Sequence, residues 1–288
     1  MLSVPHFKVV RYFEDSKEIF PTVEIKGGVA ITYRDSQTDF GAINTFTQYP
    51  ELNSIVEKVK TFIGHERRLN SIIASQGLFR FSEVFFEENP DAVNHIGEGT
   101  GNKIVSSVIE KLPAAFLESP QSGEEYVRIL GRVAGQRSYR YILRKFLCET
   151  EQIDHYKLFI PEANCEGKYG EALTDPIIGY PKECSADTYL CGGSFDTEIE
   201  PINFEKYYKT KFFRALLGVK KTTHHSPPIV WGSIPLQNFK TDSDIDWTQS
   251  IADIDKQLYE KYHFSPDEIS FIEENVTAMS DSTENSDK

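Results

Sequence analysis

Positively charged side chains are concentrated in two stretches of the chain, and such side chains are the groups that neutralise phosphates. Residues 126–157 contain seven arginines and lysines, and residues 206–221 contain six and no acidic residue. Arginine also matches the edges of guanine bases, so these stretches could contact both the backbone and the bases of a nucleic acid. Charge alone leaves a second interpretation open, in which both stretches are solvated faces of the protein.

A second kind of chemistry is suggested by acidic residues near the start of the chain. Asp15 is followed by Glu24 and Lys26, and a Glu-x-Lys pair on the strand after an acid is typical of Mg²⁺-dependent nucleases. The carboxylates would hold the metal and the lysine would orient a water molecule. The pattern is short and arises often by chance, so the nuclease stays the alternative hypothesis.

The four cysteines allow a zinc hypothesis but favour a simpler one. Cys165, Cys184 and Cys191 could combine with His224 and His225, yet the chain has no Cys-x-x-Cys pair and no usual zinc spacing. Buried or incidental cysteines are the favoured interpretation, and no metal is expected. Four scattered cysteines also make no disulfide framework, which predicts a cytoplasmic location.

The overall composition limits the possible functions of the chain but does not decide among them. The chain has 288 residues, of which 39% are hydrophobic, and no apolar run is long enough to span a membrane. Residues 241–288 contribute −10 to the net charge of −13, so the first 240 residues carry only −3. A local basic surface beside an acidic carboxyl-terminal region is compatible with DNA binding.

The spacing of apolar residues predicts the elements that must position these side chains. Residues 7–15 and 23–35 read as two strands, and residues 103–109, 154–164 and 188–195 read as β-prone segments. Residues 137–149 fit either a helix or a bent strand. Helices are predicted at residues 53–63, at 202–221 as one continuous helix with its cations on the flanking faces, and at 250–262. Ser265, Pro266 and Glu268 predict the start of a last helix.

Five blocks of the sequence follow one another in a distinctive order. Residues 20–31 read FPTVEIKGGVAI, residues 99–107 read GTGNKIVSS, and residues 156–179 read YKLFIPEANCEGKYGEALTDPIIG. Residues 207–228 read YYKTKFFRALLGVKKTTHHSPP, and residues 231–273 read WGSIPLQNFKTDSDIDWTQSIADIDKQLYEKYHFSPDEISFIE. These blocks resemble the fused type II restriction–modification methylases that modify adenine at N6, and the resemblance covers nearly the whole chain. Cys165 departs from it, since the family has glycine there.

The resemblance implies an α+β fold in which successive segments of the chain belong to different domains. Residues 1–37 would be the terminal β-hairpin of a methyltransferase catalytic domain, and residues 38–240 a mixed α/β target-recognition domain. Residues 241–279 would form a carboxyl-terminal helical segment, and residues 280–288 a disordered tail.

The motifs for methyl transfer itself are absent from this sequence. Methylation of adenine N6 needs a glycine-rich loop for the methyl donor and an Asn/Asp-Pro-Pro-Tyr/Phe loop for the flipped base. The chain is therefore expected to hold no cofactor and to serve a catalytic domain, in the same parent chain or a separate subunit, that uses S-adenosylmethionine.

The expected partner of this chain is double-stranded DNA, with a non-DNA protein-interaction module as a further alternative. The residues predicted to contact DNA are cations from the basic stretches and the resembling blocks, namely Lys103, Arg137, Arg140, Arg144, Lys157, Lys168, Lys209, Lys211, Arg214, Lys220, Lys221, His224 and His225.

Overall fold

The described residues form three β-sheets and seven α-helices, joined by loops and short turns. The chain therefore has a mixed α and β fold, as the sequence predicts. The computed structural model describes residues 3–280 except residues 14, 24, 26, 27, 44, 45, 48, 64–66, 98, 164–168, 221–224 and 226. The strands are β1 (Phe7–Phe13), β2 (Val29–Arg34), β3 (Ile73–Ala74), β4 (Tyr126–Val133), β5 (Gln136–Leu143), β6 (Tyr156–Pro161), β7 (Ile177–Gly179), β8 (Glu183–Ser185) and β9 (Tyr189–Phe195). The helices are α1 (Pro50–Ile63), α2 (Glu83–Glu88), α3 (Ser106–Lys111), α4 (Ile199–Lys209), α5 (Lys211–Gly218), α6 (Ile251–Lys261) and α7 (Pro266–Asn275).

A four-stranded antiparallel sheet in the order β3-β9-β6-β7 lies between two hydrophobic cores. Side chains of a strand alternate between its two faces. In β6, Leu158 and Ile160 enter one core while Phe159 enters the other, and Leu190 and Cys191 of β9 divide in the same way. This sheet is therefore the shared middle layer of the molecule.

The first core joins this sheet to helices from both ends of the chain. Helix α1 contributes Ile55 and Val59, and the carboxyl-terminal helices contribute Leu258 and Ile272. Helices α4 and α5 lie between them, with Tyr207 and other fully buried aromatic side chains. The helices after residue 240 thus share one core with α1, α4 and α5.

The second core lies between the same sheet and a three-stranded sheet in the order β5-β4-β8. Strands β4 and β5 form an antiparallel hairpin, and β8 runs parallel to β4. The short helices α2 and α3 complete this layer with Phe85 and Val108. This second layer presents the β4–β5 hairpin, in which most of the first basic stretch lies.

The two predicted amino-terminal strands pair as the antiparallel hairpin β1–β2, although β2 begins only after Gly28. Residues 137–149, for which the sequence left helix and strand open, form β5 followed by a single helical turn. Ser265 and Glu268 make the predicted capping box at the start of α7. In the part of the chain that the structure describes, no helix has the length and apolar character needed to cross a membrane.

Two predictions of local structure are wrong. Residues 103–109 were predicted to be β-prone, but α3 begins at Ser106, where the Asp187 carboxylate accepts a hydrogen bond from the Ser106 backbone N–H. The helix predicted at residues 202–221 is two helices separated at Thr210, which has an extended backbone. The Thr210 hydroxyl caps α5 by accepting from the Phe213 N–H, so a second helix can start immediately.

Candidate nucleic-acid interface

Two cations of the second basic stretch are buried, contrary to the prediction that its cations occupy flanking faces. Lys209 is 1% exposed, and its Nζ lies 2.9 Å from Glu205 and 3.3 Å from Asp175. Arg214 is 2% exposed and donates to backbone carbonyls, among them that of Thr277 at 2.5 Å. Burial lowers the pKa of Arg214. Both side chains therefore hold the protein together and are out of reach of a duplex.

Two further lysines of this stretch that were predicted to contact DNA differ, because one is neutralised and the other is exposed. Lys211 lies at the start of α5, where its Nζ contacts the Glu273 carboxylate of α7 at 2.6 Å. Lys220 is exposed, and its pKa is lowered by partial burial and by the charge of Arg68. Lys221 and His224, like Lys168, lie outside the described residues.

Lys157 was predicted to contact DNA but is completely buried in β6. Its Nζ donates to the backbone carbonyls of Gln152, His155 and Tyr180 at 2.7–2.9 Å. Burial holds the pKa of Lys157 below its ordinary value. The ammonium group therefore joins the segment before β6 to the segment after β7, and it does not reach the surface.

Two arginines of the first stretch are occupied by carboxylates. Arg144 makes two hydrogen bonds to Asp154 and two to Glu149, at 2.6–3.0 Å, and a longer contact with Glu125. Hydrogen bonds to these carboxylates raise the pKa of Arg144. Arg140 is partly buried and lies 3.6 Å from Glu118. The charge of Arg144 is therefore largely satisfied within the protein, whereas that of Arg140 is offset only in part by an exposed carboxylate.

One of the predicted contacts lines a cavity of about 300 Å³, and two others lie beside residues that line it. Arg137 lines the cavity directly, and His225 borders it through a contact of 2.8 Å between its Nδ1 and the Glu162 carboxylate. Lys103 lies next to Ile104, whose backbone carbonyl accepts a hydrogen bond of 2.8 Å from the N–H of Asp187, a lining residue. The residues that line the cavity come from several elements, namely Gln76, Arg132, Arg137, Pro161, Glu162, Ala163, Thr174, Asp187, Thr188 and Tyr189.

The position of Lys103 depends on a glycine in the neighbouring segment. Gly77 has a φ of +73°, and a Cβ atom built on it would lie 2.7 Å from Cδ of Lys103. A side chain at residue 77 would therefore push the lysine away, besides straining the backbone. Gly77 follows Gln76, so one short segment contributes to the cavity and makes room for the cation beside it.

The cavity contains both donors and acceptors. Arg132 and Arg137 supply guanidinium donors, while Glu162 and Asp187 supply carboxylates. Burial raises the pKa of Asp187, although the Ser106 N–H partly offsets this effect. Direct reading of base edges needs such a mixture, because guanine presents acceptors and cytosine presents a donor in the major groove. The surface around this cavity is the "hairpin face", defined by Gln76, Lys103, Arg132, Arg137 and Tyr189.

Sequence reasoning missed two important members of the hairpin face. Tyr189, at the start of β9, accepts a hydrogen bond of 3.1 Å from Nε of Arg137. Gln76 follows β3 and carries no charge that would have marked it. Arg132 was counted in the basic stretch but was not singled out, and only the hairpin register, which pairs it with Arg137, reveals their proximity.

Larger cavities lie elsewhere, but they lack the predicted contacts. One of about 560 Å³ lies between α6 and α7, and one of about 570 Å³ lies between α4 and the segment before α6. None of the residues predicted to bind DNA lines either cavity. The volume of a cavity therefore does not identify the candidate interface, and the hairpin face is the better candidate.

The metal-dependent alternatives gain no support from the described residues. Among them, no group of three or more His, Cys, Asp or Glu side chains could hold a metal ion. The Asp15 carboxylate accepts from the Lys17 N–H, while Glu24 and Lys26 lie outside the described residues. Cys184 and Cys191 are buried, and burial raises the pKa of the Cys191 thiol to about 12.

Comparison of the sequence with protein-family models and with curated proteins found no match.

Proposed function

We propose that this chain binds double-stranded DNA in a sequence-specific manner and serves as the recognition part of an adenine-N6 methyltransferase of a restriction–modification system. The five ordered sequence blocks suggest the class of enzyme. The observation that carries DNA binding is the hairpin face, where Arg132 and Arg137 line one cavity and Lys103 lies beside it. None of these three forms an ion pair with a described residue, in contrast to Arg140, Arg144, Lys209 and Lys211.

The proposal divides binding into two kinds of contact. Lys103 and Arg132 would neutralise phosphates and set the position of the duplex, as a sequence-independent term. The polar groups inside the cavity would contact base edges. The methyl donor, S-adenosylmethionine, would be held by a separate catalytic domain that acts on the adenine presented to it.

The amino-terminal hairpin offers a surface for such a catalytic domain. Strands β1 and β2 form a two-stranded sheet, which by itself is marginally stable in water. Large apolar side chains are exposed on this hairpin and its connection, namely Val10, Phe20, Val23, Ile25, Ile31 and Tyr33. A concentration of exposed apolar groups of this kind marks an interaction surface. We propose that another sheet covers it, as the resemblance to the end of a catalytic domain suggests.

DNA binding can be tested by fluorescence anisotropy with a labelled random-sequence duplex over a range of salt concentrations. The double variant Lys103→Gln/Arg132→Gln should weaken binding and make the slope of log affinity against log salt shallower by about 2, because about one counterion is released per phosphate contact. The matched control is Lys240→Gln/Lys256→Gln, which removes two exposed lysines elsewhere.

The control variant should bind as the wild type does. Equal binding by both double variants would show that the hairpin face is not the interface. A wild-type protein that binds no duplex even at low salt would refute the proposed function itself.

A further inference from the structure

The β4–β5 hairpin ends in a tight turn that presents arginines at its tip. Its register runs from the pair Tyr126 and Leu143 to the pair Val133 and Gln136. The two turn residues, Ala134 and Gly135, have φ angles of +50° and +74°. Two-residue turns with positive φ at both positions match the twist of a hairpin and keep it narrow. The pairing of β4 with β8 ends at Leu130, so the tip of the hairpin beyond this residue is a two-stranded ribbon. Two-stranded ribbons fit the major groove of B-form DNA.

The arginines of the hairpin differ in how many of their guanidinium donors already contact other groups of the protein. Arg128 stacks on the Tyr139 ring at 4.1 Å and contacts Glu183. Arg132 folds over the turn and donates to the Gly135 carbonyl through Nε and Nη2. Arg137 makes a single hydrogen bond with the described residues, and its donor is Nε.

The contact with Tyr189 orients Arg137 and leaves its far end available. Tyr189 is buried at the start of β9, and its hydroxyl oxygen lies 3.1 Å from Nε of the exposed Arg137. Both terminal nitrogens, Nη1 and Nη2, make no hydrogen bond to a described residue. A guanidinium held at Nε presents these two donors as a pair, with less side-chain freedom to lose on binding.

We propose that Arg137 reads a guanine in the major groove, donating from Nη1 and Nη2 to its O6 and N7 atoms, and that Tyr189 is a positioning residue. This inference rests on the proposed DNA-binding function. Paired donation from arginine to these two acceptors is the commonest way in which a protein specifies guanine. Arg137 therefore determines specificity, whereas Lys103 contributes to the affinity for any sequence.

The test begins with selection of preferred duplexes from a random library by the wild-type protein. Each guanine of the selected site is then replaced, one at a time, by 7-deazaguanine, which lacks the N7 acceptor. Wild-type binding should weaken at least about 5-fold at one position. The Arg137→Ala variant should be insensitive to the replacement at that position and should keep the wild-type sensitivity at all others.

Two conservative variants distinguish the recognition of guanine from the effects of charge and of folding. Arg137→Lys keeps the charge but removes the rigid pair of donors, so it should bind random duplex about as well as the wild type and show a reduced sensitivity to 7-deazaguanine. Tyr189→Phe keeps the ring and removes the hydroxyl, so it should reduce that sensitivity without changing the affinity for the 7-deaza duplex. Thermal unfolding of each variant checks that it folds.

The outcomes distinguish the inference from the function on which it rests. Failure to bind or enrich any duplex would refute the proposed function. Enrichment of a site whose 7-deazaguanine sensitivities are all unchanged in Arg137→Ala would leave DNA recognition intact and overturn the assignment of Arg137.

Discussion

At the scale of single residues, the environment of each cation decides what its charge does. Lys157 and Arg137 both belong to the first basic stretch, yet one is completely buried among carbonyls and the other is exposed. A buried ammonium is retained only where acceptors replace its water. The structure supplies such acceptors to Lys157, and it leaves the terminal donors of Arg137 unused by described residues.

A substitution at Lys157 should therefore affect stability and spare binding. Lys157→Met should lower the free energy of unfolding by about 1–3 kcal/mol, because several buried carbonyls lose their hydrogen-bond donor. Urea unfolding measures this change, and the affinity of the folded variant for duplex DNA should equal that of the wild type. Lys103→Gln should show the converse, with normal stability and weaker binding. Loss of DNA affinity by well-folded Lys157→Met would contradict the structural role.

At the scale of elements, the break between α4 and α5 shows how distant groups define a helix start. The backbone N–H groups of Lys211 and Phe212 donate to the Asp255 carboxylate of α6 at 2.9 and 2.8 Å. Together with the Thr210 hydroxyl, this carboxylate satisfies amides at the amino end of α5 that have no partner inside the helix. Burial nevertheless raises the pKa of Asp255 to about 7.

The raised pKa makes a prediction about pH. Since the folded protein holds the Asp255 proton more tightly than the unfolded chain does, this residue stabilises the fold at low pH. That contribution is lost as pH rises from the unfolded pKa, near 3.8, through the folded pKa of about 7.

Urea unfolding of wild type and Asp255→Asn measures this effect at about pH 5 and about pH 8. The free energy of unfolding should fall by more than about 1 kcal/mol further in the wild type than in the variant over this interval. Arg214, Tyr259 and Glu273 interact electrostatically with the carboxyl and are unchanged in the variant. Parallel pH profiles of the two proteins would show that Asp255 does not titrate in this range.

Local signals in the sequence predicted the elements that depend on near neighbours. The Ser265–Glu268 capping box fixed the start of α7, and the apolar spacing of residues 53–63 identified α1. The α3 segment escaped prediction because the group at its amino end, Asp187, lies far along the chain. A cap that lies within a few residues can be predicted from the local sequence, whereas a cap supplied by a distant loop cannot.

At the scale of the whole molecule, the sequence pointed to cationic side chains as the candidate DNA contacts. It was less able to predict where each of these side chains lies. Lys211 is neutralised by Glu273 of α7, and Arg214 donates to a carbonyl beyond the same helix. These partners lie more than 50 residues away in sequence, so charge patterning could not reveal them. Arg137, Lys103 and His225 come from three distant segments, and only folding brings them to one cavity or to the residues that line it.

The acidic carboxyl-terminal region and the β4–β5 hairpin carry opposite net charge, because residues 126–143 contain four arginines and no acidic residue. The last 48 residues carry −10, and their helices pack on the first core, whereas the β4–β5 hairpin belongs to the second layer. A duplex should therefore approach the layer that carries the hairpin and avoid the acidic helices.

Hydrogen–deuterium exchange of the protein with and without a saturating duplex locates the interface directly. We expect slower exchange of the backbone amides at residues 131–137 and 186–190 in the complex, with no change in α6 and α7. Protection confined to α6 and α7, with the hairpin tip exchanging as it does in the protein alone, would contradict the claim that the hairpin face binds DNA.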